Sequence, residues 1–139
     1  MRIIADQKEF ELICGELALE SVIFMDTEFY RRKTYYAKLS LVQIATREQR
    51  IIVDALAITD ISPLKELLLN EKICKVFHAP DQDFDIFLHL FGKLPKNIFD
   101  TQIAAGVIGL DEVMGYGRLC KALLNINIDK TMQKANWLE

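Results

Sequence analysis

Asp26 and Glu28 stand two residues apart inside VIFMDTEF (22–29), the most apolar strand-like run of the chain. An ionised carboxylate is costly to bury unless it is paired or bound to a metal, so two of them in such a run require an explanation. In an extended strand, residues two apart share a face, which puts both carboxylates on one side about 6.5–7 Å apart along the chain. That spacing suits oxygen ligands gripping one or two hard cations, Mg²⁺ or Mn²⁺. It equally suits a strand that frays here and turns both acids into water. A second acidic cluster, Asp81, Asp83 and Asp85, lies at the start of the helix-like run PDQDFDIFLHLFG. The helix dipole alone favours acids at that position. Helical spacing leaves both Asp81 and Asp83 at the margin of a Phe84, Phe87, Leu88, Phe91 stripe. Strand-end and helix-start acids can nevertheless converge at one sheet edge, an arrangement suited to two-metal phosphodiester chemistry.

The elements that would position these acids can be read from periodicity. Asp6 followed by Glu9 opens a helix over about 6–18, with Phe10, Ile13 and Leu17 at helical spacing. The run 22–29 reads as a central strand buried on both faces. Two further strands, 35–45 and 50–56, flank the polar turn TREQ, and so short a connection implies antiparallel neighbours. Ser62 and Pro63 form a helix opening, a capping hydroxyl followed by a proline. A fourth strand at 72–79 leads into the second acidic helix, which Gly92 ends. Asp100 caps a helix of small residues, and a last helix spans about 116–124. A meander of strands followed by alternating strands and helices predicts an α/β or α+β chain built on a mixed sheet.

Composition sets the outer limits. The chain has 139 residues, 51% hydrophobic and 27% charged, with 6 Gly and 3 Pro, a globular profile expected to form one domain over 1–139. A net charge of −3 argues against a uniformly basic nucleic-acid binder but leaves room for a local basic patch or a metal-bridged phosphate contact. Cys14, Cys74 and Cys120 form no C-x2-C pair and read as reduced core residues. With neither a membrane-length apolar run nor a signal-peptide pattern, a cytoplasmic protein with no membrane partner is expected.

The run VIFMDTEFYRRKTYYAKLSLVQIA resembles the first exonuclease motif of the ribonuclease D family, including its tyrosine pair and Leu-x-Leu-x-Gln strand. KVFHAPDQDFDIFLHLFG is similar to the second motif, NIFDTQIAAGVIG to the segment that follows it, and Lys130, Gln133 and Trp137 to a Lys-x-x-Gln-x-x-x-Trp pattern near the end of that catalytic core. The resemblance covers about 20–138. It implies a ribonuclease H-like fold and Mg²⁺- or Mn²⁺-dependent removal of nucleotides from RNA 3′ ends, with single-stranded DNA as another candidate substrate. Carried over, Asp26 would bridge two metals, Glu28 would hold the first, and Asp83 would act on the second. Thr27, mainly through its backbone, would contact the nucleic acid; His78, at the end of a strand, reads either as a core or hydrogen-bonding histidine or as a further nucleic-acid contact. Arg31, Arg32 and Lys33 could meet phosphates or form a solvated turn.

The family also uses a third motif, a tyrosine followed four residues later by an aspartate. None of Tyr30, Tyr35, Tyr36 or Tyr116 has an aspartate at that spacing. Ala135 and Asn136 replace the usual Ser-Asp before the tryptophan. The resemblance therefore implies a C-terminally truncated domain whose metal site lacks a ligand, with weak or absent activity unless a separate chain supplies the missing segment. The alternative is a catalytically dead remnant that binds nucleic acid or a protein partner. A small-molecule phosphatase is a further alternative, but no Walker-type loop supports it.

Overall fold

The computed structural model describes residues 1–30 and 36–128. The Asp6 carboxylate accepts a hydrogen bond from the Glu9 N–H at 3.0 Å and so starts helix α1 (Gln7–Leu17), which buries Phe10, Ile13, Cys14 and Leu17. Strands β2 (Val22–Tyr30), β3 (Lys38–Ala45) and β4 (Arg50–Asp54) form the expected antiparallel meander. They are followed by α2 (Ser62–Leu69), β5 (Cys74–Phe77) and α3 (Asp81–Phe91). Helix α3 ends at Gly92 in the left-handed conformation, φ 66°, which a glycine adopts without a Cβ penalty. Helices α4 (Thr101–Val107) and α5 (Tyr116–Leu124) complete the order.

Two strands were not foreseen, β1 (Arg2–Ile4) and β6 (Ile98–Asp100). Each is three residues long, too short to leave an alternating pattern. Among the described residues they extend the sheet to six strands in the order β1-β4-β3-β2-β5-β6, so the strand expected as the fourth is β5. The pairs β1–β4, β2–β5 and β5–β6 are parallel, making the sheet mixed. Ser62 is not the cap of α2; it is the first helical residue, and its N–H donates to the Asp60 carboxylate at 2.9 Å.

The two faces of the sheet differ. Ile4, Ile23, Met25, Val42, Ile44, Ile51, Val53 and Phe77 point to one side and form a single core with α1, α2 and α3. The other side carries Val22, Phe24 and Phe99, which are 38%, 46% and 49% exposed. Central β2 is therefore buried on one face only, and the expectation of burial on both is corrected. The apolar character of its second face comes from Val22 and Phe24, which stay partly open. Opposite them, α3 buries Asp83, Ile86 and Phe87, while Leu88, expected in the stripe, faces solvent. The helix is rotated toward the sheet through Asp83. No helix among the described residues is long and apolar enough to cross a membrane.

Phe87 is fully buried and packs against Phe77 and Phe91, so it fixes how α3 lies on β5. Phe87→Ala is expected to cost about 3–5 kcal/mol in denaturant unfolding, and Phe87→Leu distinctly less.

Candidate active site

Strand alternation and α3 together gather the acids. In β2, Ile23, Met25 and Thr27 point into the core, which leaves Asp26 and Glu28 on the open face, as the period of two requires. Asp26 is opposite Gln43 in β3, and Gln43 is opposite Ile52 in β4. The register shifts between Glu28 and Phe29, where β3 holds the extra residue Ser40. Such a bulge bends the pair just beyond Glu28 and can re-aim its side chain.

Of the second acidic cluster, only Asp83 is drawn in. It is 7% exposed, whereas Asp81 and Asp85 face water. Its carboxylate accepts a short hydrogen bond from the Thr27 hydroxyl, which crosses from β2 to α3. Thr27 thus spends its side chain on Asp83.

The three carboxyls share one electrostatic environment. Burial raises the Asp83 pKa, with the Asp26 charge adding to it and the Thr27 hydroxyl opposing it. Glu28 is raised by partial burial and then by the negative charges of Asp26 and Asp83. Asp26 is open to solvent by area, yet neighbouring protein strips enough water to raise its carboxyl; the Thr27 N–H and His78 act the other way. Oxygen donors that repel one another in this way suit a divalent cation, whose charge would relieve the repulsion. Among the described residues, however, no three His, Cys, Asp or Glu side chains are gathered closely enough to hold one ion. The donor chemistry fits a hard metal, and one oxygen of Asp83 is engaged by the Thr27 hydroxyl.

His78 follows β5 at the rim of the same site. Its Nδ1 lies 2.9 Å from the Thr101 hydroxyl, and its ring meets Tyr116 edge-on at 5.5 Å. Asp26, His78, Thr101 and Tyr116 line one end of a cleft of about 710 Å³ on the open sheet face, with Phe24, Val76 and Ile52 as its apolar lining. Thr101 and Tyr116 were not singled out as site residues from sequence. They reach the site only because α4 and α5 fold back over β5, and nothing in their local sequence marks it.

Asp100 caps α4 as expected, accepting from the Gln102 N–H at 2.8 Å, and it also accepts from the Ala79 N–H at 3.0 Å. Ala79 has φ 52°, a left-handed conformation unusual for alanine. One carboxylate therefore secures both α4 and the turn from which α3 departs. His89, on the far end of α3, stacks on Tyr36 at 3.8 Å. The three cysteines are unbridged, and burial pushes the Cys14 thiol up to about 12. The basic run Arg31, Arg32, Lys33 and the Lys130, Gln133, Trp137 pattern lie outside the described residues.

A family model described as a 3′–5′ exonuclease matches residues 1–139. The chain belongs to that family. The exonuclease chain is 38% identical to ribonuclease D of Haemophilus influenzae over 138 residues, 99% of this chain and 35% of the relative. It is 43% identical to ribonuclease D of Gluconacetobacter diazotrophicus over 126 residues, 90% of this chain and 32% of that one. The crystal structure of Escherichia coli RNase D superposes with a TM-score of 0.93 at 34% identity, covering 99% of this chain and 36% of that one. The fold is therefore the ribonuclease H-like exonuclease fold, and the exonuclease chain spans about a third of the length of the curated relatives it matches.

Two outcomes follow from the geometry. In EDTA at pH 7, Asp83→Asn is expected to raise the melting temperature by a few degrees, because it removes a buried charge and keeps an acceptor for Thr27. A raised carboxyl binds its proton more tightly in the folded state, so wild type loses stability as pH rises from the ordinary carboxylate range through its raised value. The advantage of Asp83→Asn should accordingly shrink as pH falls toward about 4. Asp100→Ala should cost about 1–2 kcal/mol in denaturant unfolding, since two N–H groups lose their acceptor.

Proposed function

We propose that this chain carries the acidic site of a ribonuclease D-type 3′–5′ exoribonuclease, with Asp26, Glu28 and Asp83 holding Mg²⁺ or Mn²⁺ against the terminal phosphodiester of RNA. The observation that carries the reading is electrostatic. The charges of Asp26 and Asp83 both raise Glu28, so acids from β2 and α3 act on one another, and Asp26 among them lines the cleft. The Escherichia coli relative is an exoribonuclease involved in structured RNA processing, which supports RNA as the substrate class.

Each residue then has a part set by its place. Asp26 and Glu28 offer carboxylates from the same face of a rigid central strand, so their separation is set by backbone geometry. Asp83 brings the third carboxylate from α3, oriented by the Thr27 hydroxyl. The Thr27 backbone, between the two strand acids, borders the terminal nucleotide, and His78 meets the nucleotide from the opposite rim. Phe24 and Val76 give the cleft an apolar lining against which a base can lie. What bound cations would supply is charge, activating water for attack and stabilising the departing 3′ oxygen.

Titration calorimetry with Mn²⁺ tests the metal assignment. Wild type is expected to bind, and Asp26→Asn to bind at least about tenfold more weakly, since one charged ligand is lost; equal affinities would sink it. A 5′-labelled oligoribonucleotide with Mg²⁺ should shorten from its 3′ end and stop doing so in EDTA or with Asp26→Asn. A second reading, RNA binding without turnover, is favoured by the engagement of Asp83 with Thr27 and by the lack of a gathered three-ligand cluster among the described residues. RNA retained intact, equally in Mg²⁺ and EDTA, would select it.

A further inference from the structure

Hydrogen bonding around His78 fixes more than its position. The Thr101 hydroxyl has one proton, and it donates to the Phe77 carbonyl at 3.1 Å. The 2.9 Å contact between Thr101 and His78 must therefore run the other way, with Nδ1–H donating to the hydroxyl oxygen. In the neutral ring this leaves Nε2 as a lone-pair acceptor. That atom is buried and has no hydrogen-bond partner among the described residues. The nearby Tyr116 is not that partner: its ring meets the imidazole edge-on, with the ring centroids 5.5 Å apart.

A buried acceptor without a donor is uncommon and calls for an explanation in function or structure. Ser40 Oγ is the other such atom among the described residues, but Ser40 is fully buried at the bulge, on the core side of the sheet. His78 instead lines the same cleft as Asp26. Tyr116, which covers it, belongs to the first turn of α5 and is 56% exposed, so its ring can move without disturbing the core.

We propose that His78 is a specificity-determining residue whose Nε2 accepts a hydrogen bond from a ribose hydroxyl of the 3′-terminal nucleotide. This rests on the acidic-site reading above, because that reading places the terminal phosphodiester at Asp26. The group bonded directly to that phosphate is the sugar, so a sugar hydroxyl is the substrate donor that comes nearest to His78, while the base lies farther along the apolar lining. Thr101 holds the imidazole in the accepting tautomer and Tyr116 forms the wall that shifts to admit the sugar. A substrate without the hydroxyl leaves Nε2 unpaired inside the complex, and sites built to pair a polar group discriminate strongly against ligands that lack it.

Fluorescence anisotropy in Ca²⁺ tests this without relying on turnover. The probes are a 5′-fluorescein oligo(rA) ten-mer and the same oligomer ending in a single 2′-deoxy or 3′-deoxy nucleotide. Wild type is expected to bind the fully ribose end about tenfold more tightly than one of the two deoxy ends, and that arm identifies the hydroxyl. His78→Phe, which keeps a ring against Tyr116 but removes the acceptor, should bind all three alike. His78→Gln, with an amide oxygen as acceptor, should retain part of the preference. A wild type that binds all three equally overturns the proposal, as does a preference that persists undiminished in His78→Phe. The wild-type comparison requires no variant to fold. Binding of none of the oligomers would instead bring down the RNA reading of the acidic site together with this one.

Discussion

A side-chain hydrogen bond, from the Thr27 hydroxyl to the Asp83 carboxylate, joins the central strand to the helix that covers it. It permits an acid to occupy a core position on α3, between the apolar face of β2 and the Ile86–Phe87 contact. Without a donor there, α3 would favour a rotation that sends Asp83 to solvent and Leu88 inward, the orientation its apolar stripe suggests. The rotation actually found sacrifices the burial of Leu88 to keep a carboxylate near Asp26 and Glu28. This is a local conflict between packing and placement of charge, of the kind expected where a fold serves chemistry.

The same contact explains what could and could not be read from residues alone. Period-two alternation was sufficient to put Asp26 and Glu28 on a common face, because strand geometry leaves no other choice. It could not decide whether Asp81 or Asp83 turned inward, since both border the stripe and the deciding partner, Thr27, lies 56 residues earlier. The likeness to the exonuclease motifs selected Asp83, and the structure buries that residue. Short elements were invisible for a different reason. β1 and β6 exist through pairing with β4 and β5, not through any pattern of their own. Asp60 was overlooked as the acceptor at the start of α2 because serine before proline is the stronger local signal.

The far rim of the site was the least legible part. For His78 the sequence left a structural histidine and a nucleic-acid contact both open: its tautomer depends on Thr101, and its cover, Tyr116, comes from a helix nearly forty residues downstream. Asp100 shows how economically this corner is tied together. Its one carboxylate binds the first turn of α4 and the left-handed Ala79, so the β5–α3 turn and the wall of the cleft are set by the same side chain. The geometry at His78 and the departure angle of α3 are consequently not independent.

The brevity of β1 and β6 also bears on how the molecule meets others. Among the described residues they are the outermost strands of the sheet, and each offers only a three-residue edge. Long, flat edges invite another chain to add as a further strand, and short ones discourage it. The sheet is thus guarded along its rims while one of its broad faces is left partly open. Association by backbone pairing is disfavoured, and recognition falls to the side chains that alternate across that face.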